Sequence, residues 1–503
     1  MAKKGNLAPN AFFAVWCQIK KMHSQRIYTI NMKFIGRTHE LEILNSHWGK
    51  RTSSLIVIRG RRRIGKSTLV EKFSESADDY FKFEGLAPAE NLKKISQIEH
   101  MNQLLQRKFK SKKNLKTWLD IFEFINSKIK KRKTVLFFDE ISWMGMDDTD
   151  FSGYLKIAWD NFFSKNDKLI VVLAGSVSAW IEKNILMHTA FVGRISSTMT
   201  LPQLSLEDTR SFFEDDKNLS TYDKLKFLSI AGGIPKYINE YKFNKTANQN
   251  IHQLCFDTNG LLFNEFDRIF NDIFVRRSDI YKKIVESLIQ KPLTLSEICR
   301  FIKVKKNGNY KNYLNDLVVA GFLKKIDQFD ILTGEPQKVS YFKICDNYLR
   351  FYLKYIDRFK KQIRNGQFKN RTLENLAGFD SFIGYQFENL IFNNLDKIIN
   401  LLDIDSNSVI SAGSYSQKKN TRNKNGTQID LLIHCKPNIL YVCEIKFKKK
   451  VGDDVIRQLF QKMQKLKKPK YMTLKPVLIY AGEASGKILD QSEIQLISAE
   501  DLI

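Results

Sequence analysis

Apolar residues along this chain fall into short runs, with polar and lysine-rich stretches between them. LIVI (55–58), TVLFF (134–138), LIVVLAG (169–175) and ILYVC (439–443) are each strand-length. None approaches the roughly 18 residues that a membrane-crossing helix needs. Residues 205–275 read as mostly helical, through SLEDTRSFF and YDKLKFLSIA. Residues 279–345 have another rhythm: IYKKIVESLI is spaced as an amphipathic helix, and LTLSEICRFI opens with Thr294 or Ser296 in cap position and Glu297 close behind. NYKNYLNDLVVAGFL predicts a third helix, and KKID and VSYFKICD follow as strands. Three short helices and a wing predict a winged helix-turn-helix. NYLRFYLKYIDRFK, next in the chain, predicts an aromatic helix buried between domains.

GRRRIGKS, residues 60–67, stands between LIVI and the helix after it. Strand, glycine-framed loop and helix make a phosphate cradle. Gly60 and Gly65 let backbone N–H groups curl round phosphate oxygens, and the helix N-terminus adds its positive end. In the spacing G-x-x-x-x-G-K-S, Lys66 reaches the β- and γ-phosphates of ATP and Ser67 ligates Mg2+. Arg61, Arg62, Arg63, Ile64 and Thr68 complete the nucleotide-binding stretch, the arginines with phosphate, DNA or an acidic neighbour as alternative partners. TVLFFDE is a buried strand ending in two carboxylates: Asp139 is expected in the Mg2+ shell, and Glu140 polarises the attacking water. Ser176, ending LIVVLAGS, is a candidate γ-phosphate sensor or a loop cap. Arg194 in FVGRISS is a candidate γ-phosphate arginine, acting within the chain or across a subunit interface, or else a salt-bridge partner.

A second constellation lies in QIDLLIHCKPNILYVCEIKFKKK, residues 428–450. With Lys436-Pro437-Asn438 as the turn, Cys435 faces Ile439 and Asp430 comes opposite Glu444. Opposed side chains in a hairpin lie roughly 5 Å apart. Lys446 points to the same face. Two acids that close repel unless a cation joins them, and Mg2+ suits that place. A two-residue turn would break the pairing.

Composition adds a partner class. The net charge is +28, which favours polyanions, nucleic acid first and DNA above RNA, against a solvated lysine-rich surface as the alternative. KFKKK (446–450), KMQKLKKPKY (462–471) and SQKKNTRNKNGTQ (416–428) surround the acid pair with basic residues. The cysteines, at 17, 255, 299, 345, 435 and 443, show no zinc-ligand spacing and read as reduced cytoplasmic thiols. Residues 1–39 hold no acid and seven lysines or arginines, and a domain start, MKFIGRTHELEIL, begins at Met32. Residues 1–31 therefore read as an over-extended translation start, a targeting segment or a basic tail.

The succession FIGRTHELEIL, GRRRIGKS, LFFDEISWM, LAGSVSAW, GRISSTMTLPQLS and AGGIPKYI resembles prokaryotic P-loop ATPases of the AAA+/STAND group, best known from archaea. The resemblance spans nearly the whole chain. It implies that Gly36 and Arg37 open the domain near the adenine, and that Pro235 lies near the base in a small helical lid. The D-x(13)-E-x-K spacing resembles the PD-(D/E)xK nuclease fold. That likeness implies that Glu388, on a helix at 381–395, completes the metal site, and that Gln458 stands on the helix after the lysine. Ile429, not proline, precedes Asp430, a departure from that pattern.

The expected architecture is a multidomain α/β chain: a basic extension (1–31), a P-loop NTPase parallel sheet (32–204), a helical lid (205–278), a winged helix-turn-helix and connecting helix (279–360), and a restriction-endonuclease-like domain (361–503). The expected function is ATP hydrolysis coupled to Mg2+-dependent cutting of nucleic acid. Lys303, Lys305, Lys306 and Lys311 are expected near DNA phosphates. The rivals are a nucleotide-dependent signalling switch whose nuclease-like fold binds without cutting, and a DNA-binding regulator using the winged helix alone. Monomer or homo-oligomer stays open.

Overall fold

Runs apolar at nearly every position need cover on both faces, and a parallel sheet between helices provides it. A computed structural model describes residues 34–87, 94–146, 148–176, 179–214, 219–273, 278–331, 333–417, 426–489 and 492–503. The basic segment 1–31 lies outside the described residues, as does most of the lysine-rich stretch before Asp430. Five parallel strands form the first sheet: β1 Ser54–Gly60, β2 Asp79–Glu84, β3 Thr134–Asp139, β4 Leu169–Ser176 and β5 Ile195–Leu201. Their order is β2-β3-β4-β1-β5, so β4 lies between the strand that feeds the glycine loop and the strand that ends in two acids. The central β1, β3 and β4 are buried almost throughout, while the edge strand β5 alternates. Trp118, Phe122, Phe138 and Phe151 pack edge-on over one face.

Helices Thr221–Ala231, Pro235–Ile238, Ala247–Phe256 and Glu265–Ile273 follow the sheet, as the sequence predicts. Then come Ser278–Ser287, Leu295–Phe301 and Gly308–Val319, and an antiparallel ribbon of β6 Leu323–Phe329 and β7 Pro336–Ile344. Thr294 takes the cap position, closing a capping box with Glu297. Tyr348, Phe351, Tyr352 and Tyr355 of the aromatic helix are buried.

The C-terminal part runs helix Phe379–Asn393, β8 Val409–Gln417, β9 Thr427–Cys435, β10 Ile439–Val451, helix Asp453–Lys465, β11 Thr473–Ala484 and β12 Gln495–Ile497. Strands β8, β9 and β10 form an antiparallel meander, and β11 and β12 add parallel to β10. Cys435 pairs with Ile439, the register the three-residue turn predicts.

Residues Gly36–Ile503 cluster as one compact unit. Two contacts show why. Phe447 of β10 stacks on Tyr222 at 4.4 Å and meets Phe387 at 5.2 Å, so the C-terminal sheet rests on the helices after the first sheet. Phe329 and Ile331, at the ribbon's tip, share a core with Ile429, Leu432, Leu440 and Leu459. The ribbon tip thus packs against the C-terminal sheet. Among the described residues no helix is long and apolar enough to cross a membrane.

Gly334 marks that docking point: its φ is +73°, and an added Cβ would come 2.2 Å from Ile410 Cγ2. Gly334→Ala is expected to destabilise the chain by about 1–3 kcal/mol through left-handed strain and overpacking. Thermal melting checks this, with Ile410→Ala in the same chain recovering part of the loss.

Candidate functional site

The glycine loop leaves β1 at Gly60, where a Cβ would meet Leu201 O at 3.1 Å and Ile64 Cγ2 at 3.0 Å. Gly65 has φ +94° and caps the helix Lys66–Ser74. Only glycine adopts that backbone without strain. Lys66 Nζ donates to Gly60 O at 3.1 Å and to Arg61 O at 3.4 Å, curled over its own loop. Ser67 Oγ donates to Asp139 Oδ2 at 2.6 Å, bringing together two residues 72 positions apart. Lys82 of β2 reaches the same carboxylate at 3.3 Å. The sequence reading missed Lys82, although it is the one basic residue within the strand DYFKFE.

Glu140 is held at φ +50°, a conformation that persists only when its surroundings enforce it. It aims its carboxylate across the sheet, where Glu140 Oε2 accepts from Ser176 N at 3.3 Å. Ser176 faces Gly60 across the β1–β4 pair. Its hydroxyl is buried and without a hydrogen-bond partner among the described residues. A buried orphan donor beside a glycine loop fits a nucleotide phosphate. Arg37, also left-handed, braces the loop from below, donating to Ile64 O at 3.3 Å and Pro202 O at 2.5 Å. Pro235 opens a short helix whose Tyr237 is fully buried beside Arg61.

The loop arginines have acidic partners. Arg61 is ion-paired with Asp346, and Arg63 Nε lies 2.7 Å from Glu265 Oε1. Of the partners left open for these arginines, the acidic neighbour is the one Arg61 and Arg63 meet. Arg62 is half-buried beside them. Arg194 meets the salt-bridge alternative. Ile195 pairs with Leu55 at the start of β1, whereas the loop follows Gly60 at its end. At about 3.3 Å per residue the two ends are roughly 17 Å apart, so Arg194 does not meet its own chain's phosphate loop. Its guanidinium forks onto Asp160 at 2.7 and 3.0 Å, pulling that carboxyl down to about 2.

In the second constellation Asp430 Oδ2 accepts from Ile445 N at 3.0 Å, next to Glu444. Two ammonium groups bridge the acids. Lys446 Nζ lies 2.5 Å from Glu444 Oε1 and 3.7 Å from Asp430 Oδ2. Lys462 Nζ lies 2.6 Å from Glu444 Oε2 and 3.6 Å from Asp430 Oδ1. Lys462 is the helix residue that reaches the pair; Gln458, one turn earlier, is exposed and does not. The i,i+4 spacing from Gln458 was the available signal. Burial, with the charge of Asp430 behind it, pushes Glu388 up to about 7. Burial likewise raises Asp430, with Glu444 adding to it. Among the described residues no group of three His, Cys, Asp or Glu side chains is arranged to hold a metal. Asp430 and Glu444 remain as a carboxylate pair suited to a hard cation that keeps several waters.

Glu388 binds its proton more tightly folded than unfolded. Its stabilising contribution is therefore full below about pH 4.5, its ordinary value, and is lost as pH rises through about 7. Glu388→Gln is expected to flatten the fall in melting temperature between those two pH values, measured beside wild type.

Solved structures resemble parts of this chain. A Walker-type ATPase of Pyrococcus abyssi overlays 64% of this chain and 97% of its own, with 17% identity and a TM-score of 0.47. The ORC2 protein of Aeropyrum pernix overlays 68% and 99%, with 14% identity and a TM-score of 0.40. An uncharacterized protein of Methanocaldococcus jannaschii is 24% identical over 71% of this chain and 75% of its own length. An uncharacterized ATP-binding protein of the same organism is 44% identical over 43 residues, 8% of this chain and 73% of its own. Residues 34–241 match the family model described as an ATPase domain predominantly from Archaea.

Proposed function

We propose that the chain couples ATP hydrolysis at the glycine loop to Mg2+-dependent cutting of DNA at Asp430 and Glu444. The observation that carries the second half is the facing pair Asp430–Glu444, with Lys446 and Lys462 touching both acids. Lys66 holds the β- and γ-phosphates, Ser67 and Asp139 hold the magnesium, Glu140 orients the attacking water and Ser176 contacts the γ-phosphate. Pro235 lies beside the base. Arg194 serves a neighbouring subunit's nucleotide in a homo-oligomer. Magnesium held by Ser67 and Asp139 would supply positive charge to offset that of the transferring phosphoryl group.

At the acid pair, Asp430 and Glu444 hold a second magnesium, Lys446 positions the attacking water, and Glu388 adds a carboxyl from its helix. The winged-helix reading of residues 279–345 places Lys303, Lys305, Lys306 and Lys311 on phosphates, and all four are exposed. Cutting in the cytoplasm on chromosomal or foreign DNA fits these parts.

One observation favours a second reading, a nucleotide-dependent switch that binds without cutting: the two lysines already neutralise the acid pair, so a metal must displace them. Lys66→Ala is expected to lower ATP turnover roughly 100-fold or more. Asp430→Ala is expected to keep turnover and lose DNA breaks in Mg2+, read on gels at two salt concentrations. Intact turnover with no breaks on single-stranded, duplex or branched DNA would select the switch. Breaks that persist in Asp430→Ala would remove the acid pair from the chemistry.

A further inference from the structure

We propose that Asp346 and Glu265 are positioning residues of the ATPase site, and that Asp346 couples nucleotide binding to the helix that carries Glu388. The inference rests on the ATPase reading. Neither acid lies within residues 34–241, the stretch that matches the ATPase family. Both side chains are 0% exposed. A carboxylate removed from water needs a charged or hydrogen-bonding partner, and for each of these the partner is an arginine of the glycine loop. Arg61 pairs with Asp346 and Arg63 with Glu265.

The pairing closes into a circuit. Tyr237 Oη donates to Glu265 Oε1 at 3.2 Å and accepts from the Arg61 guanidinium at 3.3 Å. That guanidinium lies 5.7 Å from the Tyr237 ring and 5.5 Å from the Phe322 ring. Arg61 is therefore gripped on its charge and along its flat sides. Its carbonyl is one of the two that hold Lys66 Nζ. A displacement of Asp346 thus moves the backbone that aims the phosphate-binding lysine.

The other side of Asp346 leads to the acid pair. Its second carboxylate oxygen accepts from Leu349 N at 2.7 Å, capping the helix that begins at Asn347. Asn347 Nδ2 donates to Ser229 O at 2.8 Å and to Gln386 O at 3.1 Å, and Gln386 Nε2 returns a bond to Asn347 O at 2.6 Å. All of these residues are buried. Glu388 stands two residues further along the helix of Gln386. Close-packed, fully bonded groups transmit a shift rather than absorb it, and the coupling must act in both directions.

The test uses the full chain as wild type, Lys66→Ala, Asp346→Asn and Arg61→Lys. Calorimetry gives the Kd for ADP with Mg2+, turnover gives kcat and KM, and amide hydrogen exchange follows residues 379–393 with and without ADP. Wild type is expected to bind ADP and to show altered exchange in that helix. Asp346→Asn is expected to weaken ADP binding roughly ten-fold and to abolish the exchange response. Arg61→Lys keeps the charge and loses the flat fork, so a smaller shift in the same direction is expected. It carries the test if Asp346→Asn does not fold. ADP affinity within two-fold of wild type in a folded variant, or an unchanged exchange response, overturns the proposal. Wild type that binds ADP no better than Lys66→Ala overturns the ATPase reading, and the proposal with it.

Discussion

The pair between Arg61 and Asp346 takes two full charges out of water at the point where three parts of the chain meet. Burying either charge alone costs several kcal/mol, so the two ends are held to one another as long as the molecule is folded. Arg61 belongs to the glycine loop and Asp346 to the segment after the ribbon. Tyr237, from the helices between them, touches the arginine. The fixed position of the loop follows from this contact, and so does the seating of the aromatic helix that Asp346 caps. The C-terminal helix Phe379–Asn393 then docks through Gln386 onto Asn347.

Around that anchor the nucleotide site collects backbone conformations that ordinary residues avoid. Arg37, Arg63 and Glu140 all have positive φ. Each is compensated by a specific contact: Arg37 by the carbonyls of Ile64 and Pro202, Arg63 by Glu265, Glu140 by the backbone amide of Ser176. Strain of this kind is kept where side chains must be aimed.

The acid pair solves another electrostatic problem. Asp430 and Glu444 share the same two lysines, and burial raises the cost of their mutual repulsion. Lys446, from the same strand, and Lys462, from the following helix, offset it together. Glu388, whose burial outweighs the pull of Lys446 and Lys343, takes the other course and holds its proton up to about pH 7. The same cluster therefore holds charge neutralised by lysine and charge neutralised by protonation.

The sequence by itself determined the elements whose signals are local. The strand, glycine loop and helix at 55–74 and the two acids ending β3 follow from spacing over a few residues, whereas the structure chose Thr294 over Ser296 as the cap and the three-residue turn that pairs Cys435 with Ile439. Tertiary structure alone decided which distant groups share a site. The loop arginines had acids, phosphate or DNA as equal candidates, because an arginine's partner is set by what the fold brings within a few ångströms. Only the packed chain brings Asp346 to Arg61, across 285 positions of sequence. Arg194 had phosphate or a salt bridge as candidates, and the parallel register put it at the other end of the sheet from the loop, on Asp160. Lys462 took the place expected of Gln458 because one helical turn, about 5.4 Å, decides which side chain reaches the acids. The ribbon's wing-like pattern is local, but the docking of its tip on the C-terminal sheet depends on Phe329 and Ile331 finding apolar partners about 100 residues later. Local propensity encodes elements, whereas pairing of charge and apolar surface between elements exists only once the chain is folded.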